Sequence, residues 1–149
     1  MNSKYLFETW LLDTTRDLIS LCGMGTIAVS FRERKDEAIG KVGNGTVVFS
    51  ISYDKHYKQA FVEYHPAALQ LYKEKRIDLL VDGLTHEVCH IFTFPLFDLA
   101  LNRFTTELAA REYNEQLAEE IATLLRRLIK LSRPDLLTLK GRKSKNKKK

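Results

Sequence analysis

Two histidines four residues apart, His86 and His90, lie within a segment whose apolar residues repeat with a helical period. The residues that carry this period are Ile77, Leu80, Val81, Leu84, Val88 and Ile91. Spacings of three and four residues place side chains on one face, so we predict a buried amphipathic helix here. Pro95 is expected to end it, because a proline inside a helix removes a hydrogen bond and clashes with the preceding turn. The fold must therefore accommodate a helix that presents two imidazoles one turn apart on the same face.

The same stretch, His86-Glu87-Val88-Cys89-His90, places a carboxylate beside the two imidazoles. Glu87 lies about 100° further round the helix than His86, near an ion held by the histidines but badly placed to bind it. H-E-x-x-H on a helix is the pattern in which two histidines bind zinc and the glutamate acts as general base. We therefore predict one Zn²⁺ per chain, with His86 and His90 as ligands and Glu87 as the catalytic base. Two core histidines that only hydrogen-bond to the backbone are the alternative interpretation.

The third metal ligand is expected to be a carboxylate on a long downstream helix. A catalytic zinc keeps three protein ligands and one open position, and no histidine follows His90. Apolar periodicity predicts a helix from about residue 105 to residue 131. Its glutamates are Glu107, Glu112, Glu115, Glu119 and Glu120. Glu115 lies near the small residues Ala118 and Ala122, which would permit close approach to the motif helix. Glu112 and Glu119 are expected to point further toward solvent. Glu107 is the main alternative to Glu115, and the residues alone leave the choice open.

The rest of the chain predicts a small α+β fold around these two helices. The predicted elements are a first helix over 5–21, strands over 26–32, 46–53 and 57–64, and a short helix over 66–72. Alternation of apolar and polar residues supports the strands, and a short turn at 54–56 would join the last two as a hairpin. Segment 32–45 is charged and contains glycines, and is predicted to be an exposed, mobile loop.

Composition limits the class of protein. The length of 149 residues fits one domain, expected over residues 1–134. No apolar run approaches the length of a membrane span, and the start of the sequence has no signal pattern. Cys22 and Cys89 are too few for a disulfide framework, and Cys89 is interpreted as a small core residue. We expect a cytoplasmic protein without a membrane partner.

The net charge of +5 comes from the end of the chain. Segment 140–149 holds seven of the 24 basic residues and no acidic residue, which leaves 17 basic residues against 19 acidic ones elsewhere. A run of this kind lacks apolar surface to bury, so residues 135–149 are predicted to form a disordered tail. The tail would make weak contacts to nucleic acid through phosphates, or serve only as a solubilising terminus.

The motif and the order of elements resemble those of the minimal zincin metallopeptidases, including small ones encoded by bacteriophages and prophages. Two further segments carry the resemblance. Ala60-Phe61-Val62-Glu63-Tyr64-His65-Pro66 is similar to a segment that precedes the motif helix in that group, and Glu115-Gln116-Leu117-Ala118-Glu119-Glu120-Ile121 is similar to its downstream helix. The resemblance covers residues 46 to 130.

The resemblance implies a minimal zincin-like fold with an N-terminal helix, a small and largely antiparallel sheet, the motif helix and a long C-terminal helix. By position it makes His86, His90 and Glu115 the metal ligands, as in gluzincins, and Glu87 the base. It implies zinc-dependent hydrolysis of a peptide or protein substrate in a bacterial or phage-infected cell. We expect an extended substrate to pair with an exposed edge of the sheet, and the third strand is the predicted edge.

Three alternatives differ in class. A protease resembling the SprT-like group would act on protein associated with nucleic acid, and only the basic tail supports it. A non-catalytic binding protein would hold zinc with four protein ligands and no open position. A phage structural or regulatory protein would bind nucleic acid through its tail. Among other residues, His65, Tyr64 and Tyr113 are weaker candidates for the site, and His56 is expected to be exposed in a turn.

Overall fold

A computed structural model describes residues 3–24, 26–34, 48–54, 56–101 and 106–138, with only the backbone given for 98–101. The elements are α1 (Ser3–Leu21), β1 (Ala28–Glu33), β2 (Phe49–Asp54), β3 (Gln59–Tyr64), α2 (Pro66–Lys73), α3 (Ile77–Leu101), α4 (Glu107–Ser132) and a 3₁₀ helix (Pro134–Leu137). This is the predicted α+β layout. The predicted mobile loop falls almost entirely on 35–47, and the basic run of the tail on 139–149, both outside the described residues.

The sheet has the strand order β1-β3-β2 and is mixed. The short turn after β2 makes β2 and β3 an antiparallel hairpin, in which Ile51 lies opposite Val62. On the other side of β3, β1 runs parallel to it, and Phe31 also lies opposite Val62. The prediction that the third strand is an exposed edge is therefore wrong, because a strand from an earlier part of the chain pairs with its outer side. Within the described residues, β2 is the edge strand nearest α3.

The core forms where α1, the sheet and α3 meet. Alternate residues of β2 and β3 face inward, as the sequence pattern predicts, and α3 is apolar along the face that covers them. The most deeply buried side chains include Phe7 and Leu11 of α1, Phe49 and Val62 of the sheet, and Leu80 and Leu84 of α3. Because α3 contacts α1, α2, β2 and α4, its central turns are held from several sides.

Helix α3 does not end at Pro95 but continues through it to Leu101. The predicted end is therefore wrong. A proline removes the hydrogen bond to the carbonyl four residues earlier, and packing of the preceding turn can offset that cost. Ile91 is fully buried one turn before Pro95, and Phe94 stacks on His90 with ring centroids 5.8 Å apart. These contacts hold the turn before the proline in helical geometry, whereas Pro95 and Leu96 themselves are exposed.

The packed part of the chain extends past residue 134, the predicted end of the domain. In the 3₁₀ helix, Leu136 is completely buried within the main core. Its apolar side chain has surface to bury, unlike the lysine run that follows, so the first residues of the predicted tail belong to the fold. Among the described residues, no helix has the length and apolar character needed to cross a membrane.

Candidate metal centre

The two motif histidines lie on α3 with their ring nitrogens turned toward one another. The Nε2 atoms of His86 and His90 are 3.2 Å apart, and the rings meet edge to face at a centroid distance of 4.9 Å. His90 is only 7 % exposed and stacks on Phe94. The helical spacing therefore brings two imidazole nitrogens to one point, as the sequence predicts.

Small side chains bring α4 against this point. Cys89 on α3 and Ala118 and Ala122 on α4 are completely buried against one another in a separate cluster. Glu115, nearly one turn before Ala118, consequently reaches the histidines. Its Oε2 lies 3.5 Å from His86 Nε2, and its Oε1 lies 3.5 Å from His90 Nε2. The packing of three small residues thus determines which glutamate comes close.

His86, His90 and Glu115 fit a zinc ion. One ligand atom from each lies within 4.8 Å of the other two, close enough to hold a single metal ion. In a tetrahedron with bonds of about 2.0–2.1 Å, ligand atoms are separated by about 3.3–3.4 Å. The two Nε2 atoms, 3.2 Å apart, lie close to that value, and each is 3.5 Å from a different carboxylate oxygen of Glu115. Two imidazoles and one carboxylate also leave the fourth position of a tetrahedral ion open.

Hydrogen bonds from α4 set the orientation of both imidazoles. His86 Nδ1 lies 2.8 Å from Glu119 Oε2, so it donates its proton there and leaves the Nε2 lone pair for a metal. The amide nitrogen of Asn114 lies 3.2 Å from His90 Nδ1, and the buried Oδ1 of Asn114 has no hydrogen-bond partner among the described residues. Turning this amide by 180° lets Oδ1 accept from His90 Nδ1–H, which frees Nε2 in the same way.

The remaining glutamates of α4 lie elsewhere. Glu107 pairs with Arg111 on the helix surface, Glu112 is exposed, and Glu120 accepts a hydrogen bond from Gln116. Glu119, which we expected to point toward solvent, bonds to the outer nitrogen of His86 instead. Sequence reasoning missed the roles of Asn114 and Glu119. For Glu119, the spacing of one turn from Glu115 is a signal that could have indicated its role, whereas the sequence carries no such signal for Asn114.

Glu87 lies beside the three ligand atoms without joining them. Its Oε2 accepts a hydrogen bond of 3.1 Å from the backbone N–H of Ile51 in β2, which holds the carboxylate between α3 and the sheet. Burial raises the pKa of Glu87 to about 7. A carboxyl group with such a pKa can take up and release a proton near neutral pH.

The charges at this point favour a cation. The hydrogen bond to Glu115 is the main cause that raises the pKa of His86 to about 9, and the same contact lowers the pKa of Glu115. Burial lowers the pKa of His90, which favours its neutral, metal-binding form. A carboxylate that stabilises an imidazolium would also stabilise a divalent ion at the same place.

The three ligand atoms lie in a cleft of about 1310 Å³. Val48 and the first residues of β2, through Ile51, form one side, and Glu115 and Asn114 of α4 lie on another. Much of the remaining lining is apolar and comes from Leu71 of α2 and from Leu79, Phe94 and Phe97 of α3. A cleft that combines an apolar wall with a cluster of imidazoles and carboxylates is typical of a binding site.

The weaker sequence candidates have other contacts. His65 caps α2, since its Nδ1 accepts a hydrogen bond from the backbone N–H of Ala67. Tyr64 is buried and donates its hydroxyl proton to Glu8, while Tyr113 is 72 % exposed on α4. None of these three candidates lines the cleft. His56 is exposed in the turn between β2 and β3, as predicted.

The comparisons with known proteins found no match. No family model matches the chain, no curated protein matches it, and no solved structure matches it.

Proposed function

We propose that this protein is a zinc-dependent metallopeptidase of the zincin class that hydrolyses peptide bonds. One observation carries the proposal. His86, His90 and Glu115 converge within 4.8 Å, while the carboxylate of Glu87 is held beside them by the N–H of Ile51. A purely structural zinc site needs four protein ligands and no neighbouring base, whereas a hydrolytic site needs three ligands, an open position and a base.

Each residue around the metal then has a defined role in hydrolysis. Zinc would supply a water molecule of lowered pKa and a positive charge that polarises the scissile carbonyl. Glu87 accepts the proton of the attacking water on its carboxylate and passes it to the nitrogen of the leaving amine. The hydrogen bond from Ile51 fixes the direction of the carboxylate. Glu119 and Asn114 hold the ligand histidines through their outer nitrogens.

The substrate would bind along β2. The N–H of His65, which follows β3, donates to the carbonyl of Val48, so the backbone of Val48 is directed toward β3. Backbone groups alternate in direction along an antiparallel strand, so those of Phe49, Ile51 and Tyr53 are directed toward the other edge. The bond from Ile51 to Glu87 on α3 agrees with this direction. An extended peptide could pair there by adding a strand to the sheet beside the base.

The test is hydrolysis of a library of unfolded peptides by the zinc-loaded protein, with products identified by mass spectrometry. We expect new termini next to apolar side chains, because the cleft presents Leu71, Leu79, Phe94 and Phe97. A chelator should stop cleavage, and added zinc should restore it. Fully loaded protein that leaves the whole library intact would overturn the proposal.

A further inference from the structure

Arg126 joins α3 and α4 next to the metal centre. Its Nη1 donates to Glu119 Oε1 at 2.5 Å, and its Nη2 donates to the backbone carbonyl of Asp82 at 3.4 Å. Its guanidinium also forms an ion pair with the carboxylate of Asp82. Asp82 lies on α3 one turn before His86, so a single side chain on α4 contacts that turn and the glutamate that holds the ligand.

The two carboxylate oxygens of Glu119 bond to different partners, one on Arg126 and one at the metal centre. Oε1 accepts from Arg126, while Oε2 accepts from His86 Nδ1 at 2.8 Å. The side chain of Glu119 is 53 % exposed, whereas that of Arg126 is only 21 % exposed. An exposed glutamate has several rotamers, and its bond to His86 requires one of them. Arg126 is the less exposed neighbour that favours this rotamer.

We propose that Arg126 is a positioning residue for the metal centre, which orients His86 through Glu119. This inference rests on the metal site of the proposed function but not on peptide hydrolysis. A planar guanidinium can bond to two carboxylates in fixed directions at the same time, and a lysine ammonium lacks this geometry. Arg126 lines the same cleft, but its contacts are with Glu119 and Asp82 and not with the three ligand residues, so its effect would pass through Glu119.

A merely structural ion pair would give a different result. It would change the stability of the metal-free fold without changing the affinity of the folded protein for zinc. A residue that orients a ligand changes the affinity itself, and loss of partners of this kind weakens metal binding by about 10–100-fold. Zinc affinity, measured on protein shown to be folded by circular dichroism, therefore distinguishes the two roles.

The experiment compares zinc affinities, measured by competition with a chromophoric chelator, for Arg126→Gln, Arg126→Lys and Arg127→Gln. Arg127 is the exposed neighbour on the same helix and serves as the matched control. We expect Arg126→Gln to weaken zinc binding by about 10–100-fold, Arg126→Lys to weaken it less, and Arg127→Gln to match the wild type. The visible spectrum of bound Co²⁺ should change in Arg126→Gln only, because it reports ligand geometry.

A double-mutant cycle tests the route through Glu119. In a Glu119→Gln background, Arg126→Gln should cost no more than about twofold in zinc affinity, since the link to His86 is already altered. Equal losses in both backgrounds, or an Arg126→Gln affinity equal to that of Arg127→Gln, would overturn the proposal. If the wild type binds zinc but cleaves no peptide, only the peptidase proposal fails. A wild type that binds no zinc overturns both.

Discussion

Replacing Glu87 by glutamine is expected to reduce peptide hydrolysis by about 10²–10⁴-fold while zinc remains bound. The amide has the size of the carboxylate and its oxygen can still accept the hydrogen bond from the N–H of Ile51, so the local fold should persist. The amide, however, cannot accept the proton of the attacking water. The measurement is the rate of cleavage together with zinc content for the same preparation.

Glu115→Ala provides the contrast to this result. Glu115 lies 3.5 Å from the Nε2 atoms of both histidines, so its removal deletes a ligand and should weaken zinc affinity. Both variants are assayed under one set of conditions, with and without excess zinc. If Glu87→Gln loses the metal while Glu115→Ala keeps it, the two roles have been assigned the wrong way round.

Replacing either His86 or His90 by alanine is expected to abolish stoichiometric zinc binding. Each change leaves one imidazole and one carboxylate, which are too few to hold zinc at a site with an open position. His56→Ala is the matched control, since His56 is exposed in the turn after β2 and does not line the metal-site cleft. Zinc content is measured after dialysis against metal-free buffer. Stoichiometric zinc in the His86→Ala, His90→Ala double variant would show that the metal lies elsewhere.

The sequence predicted the parts of the fold that depend on local patterns. The period of apolar residues predicted α3 and α4, and alternation predicted the β2–β3 hairpin, with ends within a few residues of those observed except at the C-terminal end of α3. Pro66 at the first position of α2 shows the preference of proline for the start of a helix. The convergence of His86 and His90 followed in the same way, because helical spacing alone places them one turn apart.

The features that depend on distant contacts could not be predicted in this way. The central position of β3 requires β1, and the helical geometry through Pro95 depends on the packing of the turn before it. Choosing among five glutamates on α4 requires the distance and rotation of one helix against another. These are set by Cys89, Ala118 and Ala122, whose contact brings Glu115 rather than Glu107 to the histidines.

The role of Glu119 illustrates the same limit of local patterns. A glutamate on the polar side of an amphipathic helix is usually solvated, so the sequence pattern gives no reason to expect that it bonds to a ligand histidine. Contact with α3 and with Arg126 makes it a hydrogen-bond acceptor for His86, and the bond to Arg126 is the main cause that lowers its pKa. A carboxylate that stays ionised is suited to hold the proton of a ligand imidazole.

X-ray absorption at the zinc edge, on protein loaded with about one zinc per chain, tests the central claim most directly. The predicted spectrum is that of four nitrogen and oxygen ligands at about 2.0–2.1 Å, with outer-shell scattering from two imidazoles and no sulfur. The spectra of the control variants His56→Ala and Arg127→Gln should both keep the signature of two imidazoles. A sulfur ligand, or zinc with no imidazole signature, would contradict a centre formed by His86, His90 and Glu115.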